Sequence, residues 1–108
     1  MTVKELSTAL QLNEICMPEP EREIDGVYIG DLLSWVMGRA QADNVWITIM
    51  SNINVIAVAS LADVACVILA EDVTLDENVL ATAQAKGVNV LSSPLPAYET
   101  ALQISGIA

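Results

Sequence analysis

Few side chains in this sequence could do chemistry, and those present are poorly placed for it. The chain contains no His, so no imidazole can serve as a general base, a phosphoryl carrier or a metal ligand. Cys16 and Cys66 lie in the apolar stretches ICMP and ACVILA, with no metal-like spacing and no partner to draw off a thiol proton. Both read as buried core thiols. No Ser stands in a G-x-S-x-G turn, and no G-x-x-x-x-G-K-[ST] loop occurs. The residues therefore predict a non-catalytic protein with no catalytic or metal-binding side chains and no cofactor.

What polar groups there are gather where apolar runs end. Gly30-Asp31 precedes a helical pattern; such a Gly can cradle a phosphate, but Asp31 would fill that place itself, so the pair predicts a tight turn with Asp31 as helix N-cap. Ser51, Asn52 and Asn54 follow the β-branched run VWITIM. In a parallel sheet they would stand at the carboxyl edge, where ligand crevices form, and their lack of charge leaves a helix N-terminus open to an anion or a base edge. An Asn or Ser cap is the plainer reading of the same residues. Glu71 and Asp72 end the next apolar run, and Ser92 and Ser93 the one after. The two carboxylates fit either a solvated loop or Mg²⁺ held through phosphate oxygens. Ser51, Asn52, Asn54, Ser92 and Ser93 together make the candidate ligand edge.

Two aromatic residues raise a different question. Trp46, between Val45 and Ile47, is expected in the core. Trp35 lies at the margin of an apolar stripe, where aromatic side chains anchor interfaces. Trp35, Val36 and Arg39 are accordingly the expected contact between two copies of the chain, with Arg39 pairing an acidic group at the rim.

The elements that would position these groups read clearly. Thr2 and Glu5 form a capping box for a helix over 2–12, with Val3, Leu6, Ala9 and Leu10 on its apolar face. A short strand over 14–17 precedes PEPEREIDG, whose prolines and carboxylates predict a solvated, mobile loop. Strands follow at 27–29, 45–50, 64–70 and 88–92. Leu32, Leu33, Val36, Met37 and Ala40 form the stripe of the helix after Asp31. Residues 52–62 mix β-branched character with i, i+3, i+4 spacing and are read as a helix, because a strand there would run straight into the next one. Asp76 to Lys86 is a helix with acids at its positive end and Gly87 as its stop, and Pro96 opens a last helix through Tyr98, Ala101 and Leu102. Continuous apolar strands alternating with helices predict a three-layer α/β/α fold on a mostly parallel sheet of four or five strands. At 108 residues this is a single domain over 1–108.

The net charge of −10 argues against nucleic acid, since Lys4, Arg22, Arg39 and Lys86 are the only cations and they are scattered. The hydrophobic content of 54% comes from buried strands, since no apolar run is long enough to span a bilayer. Without a signal-like apolar start, a cytoplasmic protein with no membrane partner is expected.

The stretch VYIGDLLSWVMGRA, then VWITIM, NINVIAVASLADVACVIL and KGVNVLSS, resembles the DRTGG-domain family, most closely its small single-domain members that are similar to the N-terminal domain of HPr kinase. The pentad that names the family is missing; SNIN, over 51–54, stands near its place. The resemblance implies a three-layer α/β regulatory or interaction module that dimerises, with small members associated with iron-only hydrogenase systems. A nucleotide-sensing domain, binding at the carboxyl edge, is the alternative.

Overall fold

The computed structural model describes residues 1–107. Its elements in chain order are α1 (Val3–Leu10), β1 (Asn13–Cys16), β2 (Val27–Ile29), α2 (Leu33–Arg39), β3 (Val45–Thr48), α3 (Ile53–Ala62), β4 (Cys66–Leu69), α4 (Glu77–Lys86), β5 (Val90–Ser92) and α5 (Ala97–Ile107). The sheet order is β1-β5-β4-β3-β2, with β2 to β5 parallel and β1 antiparallel beside β5. The fold is thus the expected three-layer α/β/α arrangement on a mostly parallel sheet, with five strands.

Strand alternation sorts the core into two layers. Trp46, Val67, Leu69 and Val90 point to one face, where Val36 of α2, Val55, Ile56 and Ala59 of α3, and Val79 and Ala83 of α4 cover them. Val45, Ile47, Cys66, Ile68 and Leu91 point to the other, with Val3 and Leu6 of α1 and Ile104 of α5. The division follows from strand order. Each parallel strand lies next to the one before it, so successive right-handed crossovers carry α2, α3 and α4 to the same face. The opposite layer comes from the first and last helices alone. Two helices there cannot cover five strands, and Val27 and Ile29 of the edge strand remain about half exposed, at 41% and 49%.

Local signals account for most element ends. The Thr2–Glu5 capping box forms in both directions, and the Thr2 N–H donating to the Glu5 carboxylate, with the Thr2 hydroxyl beside it, holds that carboxyl below its usual range. Helix α3 begins at Asn52 and stops at Asp63, which takes the left-handed conformation (φ 59°) that ends the helix before β4. In α1, Ser7 rather than Ala9 is buried, and its hydroxyl donates to Glu14 Oε2 at 2.7 Å. In α2 only Val36 of the expected stripe is buried; Leu33 and Ala40 are partly covered, and Leu32 and Met37 lie at the surface. This seven-residue helix at the sheet margin meets neighbours over a narrow arc.

The loop read as mobile is a strap. Residues 17–26 run from β1 at one edge of the sheet to β2 at the other, four strand spacings or roughly 19 Å away, across the amino ends of the parallel strands. Asn89, just before β5, accepts from Glu19 N and donates to Glu19 O. Arg22 reaches Asp43 and Asp63, and Asn44 donates to Asp25 O. Strap carbonyls of Pro20 and Arg22 in turn accept from the free N–H groups of Lys4 and Val3.

Glu14 on β1 accepts from Lys4 Nζ at 2.9 Å and from Ser7, which together hold its carboxyl below the ordinary value of 4.5. A carboxyl depressed by folding stabilises the native state above its unfolded pKa, and that contribution fades as pH falls through the folded value. Glu14→Gln should therefore flatten the stability loss between about pH 4.5 and about pH 3, where the unfolded chain binds the extra proton. Urea midpoints at both pH values check this; an unaltered difference between wild type and variant would mean that other carboxylates carry the slope.

Candidate functional site

The carboxyl edge of the sheet is built from the β2–α2, β3–α3, β4–α4 and β5–α5 turns, and most of its polar groups serve one another. Asp31 is not the N-cap of α2: that position belongs to Leu32, which has no side-chain cap. Instead Asp31 Oδ1 accepts from Thr48 Oγ1 at 2.6 Å and from Ile49 N at 3.0 Å, tying the β2–α2 turn to the end of β3. Asn52 caps α3, its Oδ1 accepting from Asn54 N at 2.9 Å.

Ser92 and Ser93 are buried and held by the fold rather than presented at a crevice. Ser92 Oγ donates to Val73 O, fixing the β4–α4 turn. Ser93 Oγ lies 2.9 Å from Thr100 Oγ1 and accepts from Leu95 N, fixing the start of α5. Of the five expected ligand residues, Ser51, Asn52 and Asn54 remain accessible, Ser51 only partly. The reason is local. A ligand crevice opens where neighbouring strands send their connections to opposite faces. Here those strands are β4 and β5, which lead to α4 on one face and α5 on the other, and the two serines are spent tying those connections down. Glu71 and Asp72 occupy left-handed positions (φ 56° and 64°) in a turn closed by Glu71 N to Leu95 O and Asp72 N to Ser93 O. Their carboxylates face solvent, and among the described residues no three potential ligands gather for a metal ion.

The thiols are inert as placed. Complete burial pushes Cys66 up to about 12, with only a small opposing pull from Arg22, and burial also raises Cys16, whose Sγ lies 3.3 Å from Gln84 Oε1. Both stay protonated at neutral pH, so neither is a nucleophile. Among the described residues every buried side-chain nitrogen or oxygen has a partner. The interior thus leaves no polar group waiting for a substrate.

Two surfaces remain. On α2, Trp35 is 52% exposed, and the Arg39 guanidinium lies over its ring at 3.7 Å from the centroid, a cation–π pair that fixes both long side chains. Leu32 is exposed on the same flank. Val36, expected to join them, is buried in the domain's own core, because one residue along a helix turns the side chain by 100°. Trp46 is in the core as expected, its Nε1 donating to Gly30 O at 2.9 Å. The second surface, which sequence reasoning missed, is an apolar cleft of about 550 Å³ between the bare face of β2 and α5, lined by Ile24, Val27, Ile29, Ala101, Ile104 and Ser105, with Asp25 at its side. Only the strand order, which leaves β2 without a helix above it, reveals that cleft.

The polar groups of this α/β unit thus serve one another, while apolar side chains of α2 and β2 are left at the surface. Residues 15–107 match the model of the DRTGG domain, and the chain belongs to that family. No curated protein matches it. Among solved structures it is similar to the CBS and DRTGG domains of the regulatory region of Clostridium perfringens pyrophosphatase, crystallised with the activator diadenosine tetraphosphate. That likeness covers 95% of this chain and 45% of the other, with a TM-score of 0.75 and 12% identity. At such identity the two share a fold.

Proposed function

We propose that this DRTGG domain is a non-catalytic regulatory or protein-interaction module, working as a homodimer in the cytoplasm in association with an iron-only hydrogenase system. The observation that carries the dimer is the exposed Trp35 ring clamped under Arg39. An aromatic side chain held rigid before contact loses little entropy on association, which is what makes such residues anchors. Support for the non-catalytic role comes from the protonated thiols and the internally satisfied polar groups.

Trp35→Ala should weaken self-association by more than about 1 kcal/mol, read by equilibrium sedimentation at micromolar concentrations. A wild-type chain that sediments as a strict monomer would remove the dimer.

A second reading is favoured by the structural neighbour, a regulatory region crystallised with a dinucleotide. Here the domain senses a nucleotide at Ser51, Asn52 and Asn54, beside the start of α3. A thermal-shift panel of mononucleotides and diadenosine polyphosphates with Mg²⁺ separates the two. Binding at a hundredfold excess over Kd adds about 2.7 kcal/mol, and a flat panel leaves the interaction role alone.

A further inference from the structure

The outer edge of β2 is open, and its hydrogen-bonding phase is fixed. Val45 N donates to Gly26 O and Gly30 N to Ile47 O, so in this parallel pair the even-numbered residues of β2 face β3. The N–H and C=O groups of Val27 and Ile29 therefore point away from the sheet, and among the described residues neither meets a partner. Their side chains lie on the face of α1 and α5, at the margin over β2 that neither helix covers, and form the floor of the cleft beside α5. Free backbone groups and uncovered apolar side chains thus belong to the same two residues. Nearby, the flank of α5 facing the cleft continues to Tyr98 and Leu102, both more than half exposed.

Charge decides what can dock there. Asp25 and Asp31 flank β2. Asp25 lies along the cleft and its carboxylate takes no hydrogen bond among the described residues, while Asp31 spends one oxygen on Thr48 and Ile49. A second copy pairing antiparallel about Tyr28 would use all the free groups but would set Asp25 opposite Asp31 twice, and like charges directly opposed destabilise a strand pair. The edge therefore resists its own copy.

We infer that β2 accepts an extended segment of a partner protein, apolar at the two positions opposite Val27 and Ile29 and basic opposite Asp25 and Asp31. The added strand completes the backbone pairing by β-augmentation, and its apolar side chains close the cleft against α5. The inference rests on the interaction-module reading and names the partner's chemistry.

The test uses the full chain and two fluorescein-labelled peptides, Lys-Thr-Val-Thr-Val-Thr-Lys and its Glu-flanked counterpart, by anisotropy at low ionic strength. The basic peptide should bind about tenfold more tightly, a preference lost at high salt. Its binding should shift the amide resonances of Val27 and Ile29. Ile29→Lys, at a half-exposed position that tolerates it, should abolish that binding and leave sedimentation unchanged, and Asp25→Asn should reduce the preference to about threefold. Equal affinity for both peptides, resonance changes confined to α2, or an unaltered Kd in Ile29→Lys would each overturn the inference. So would β2 amides that shift with protein concentration alone, since a second copy would then be the occupant. Self-association read through Trp35→Ala fails or stands separately.

Discussion

Replacing Asn89 with Leu should lower the free energy of unfolding by about 3 kcal/mol, because it strands several buried polar groups at once. Asn89 is 1% exposed. Its Nδ2 donates to Glu19 O at 2.7 Å and to Ala65 O at 3.0 Å, while Oδ1 accepts from Glu19 N at 2.8 Å. The amide thus joins the strap, β4 and β5 at one point. Leu matches its volume but supplies no donor or acceptor, leaving one N–H and two C=O groups with less than their complement. Asn89→Asp checks that hydrogen bonding and not size is responsible: it is isosteric, yet turns both donors into an acceptor against carbonyl oxygens, and should cost at least as much. Urea unfolding with an unchanged m-value reads the effect. A loss under about 1 kcal/mol would mean that the strap shifts to let water serve Glu19.

Arg22→Met should cost about 2 kcal/mol, less than its hydrogen-bond count suggests. Partial burial works against the charge of Arg22, but the hydrogen bonds it donates to Asp43 and Asp63 outweigh it and keep the guanidinium protonated. Its Nη2 lies 2.9 Å from Asp43 Oδ1, 2.9 Å from Asp63 Oδ1 and 2.6 Å from Asp63 O. Both carboxylates remain substantially exposed, at 48% and 65%, so water rehydrates them when the cation goes. What is lost is the bond to the α3 C-cap carbonyl and the central tether of the strap. Arg22→Lys should recover less than half, since the shorter Lys side chain must bring its ammonium to the place of Nη2 and has no counterpart to the Nε donation to Asp43 Oδ1 at 3.2 Å. Full recovery by Lys would reduce the site to a simple charge pair.

Local features of the chain were legible wherever one residue type has one physical use. The Thr2–Glu5 capping box, the αL stop at Gly87 and the helix over 52–62 followed from backbone chemistry and spacing alone. What pattern could not supply was the order of strands. That order places α2, α3 and α4 on one face and α5 on the other, and at the β4–β5 junction between them Ser92 and Ser93 become internal ties. Asp31 shows the same limit on a smaller scale: its position suited a cap, but Thr48 and Ile49 from a neighbouring strand compete for the same oxygen. The strap looked mobile because its prolines and carboxylates carry no period, and its anchors at Asn44, Asp63 and Asn89 lie far along the chain. The interface residues divided by helix phase, Val36 inward and Trp35 and Arg39 outward.

The antiparallel edge strand also orders the events of folding. β1 pairs with β5, and Val3 and Leu6 share a cluster with Leu91 and Ile104, so the earliest segment of the domain rests on its latest. Until residue 104 is available, α1 has no completed pocket, while β2 to β4 with α2 and α3 join only near neighbours. Contacts that close so long a loop form late and slow the overall rate. On a ribosome α1 would wait, its apolar face uncovered, until residue 104 had emerged. Variants that weaken α1 or α5 should then raise the unfolding rate far more than they lower the folding rate.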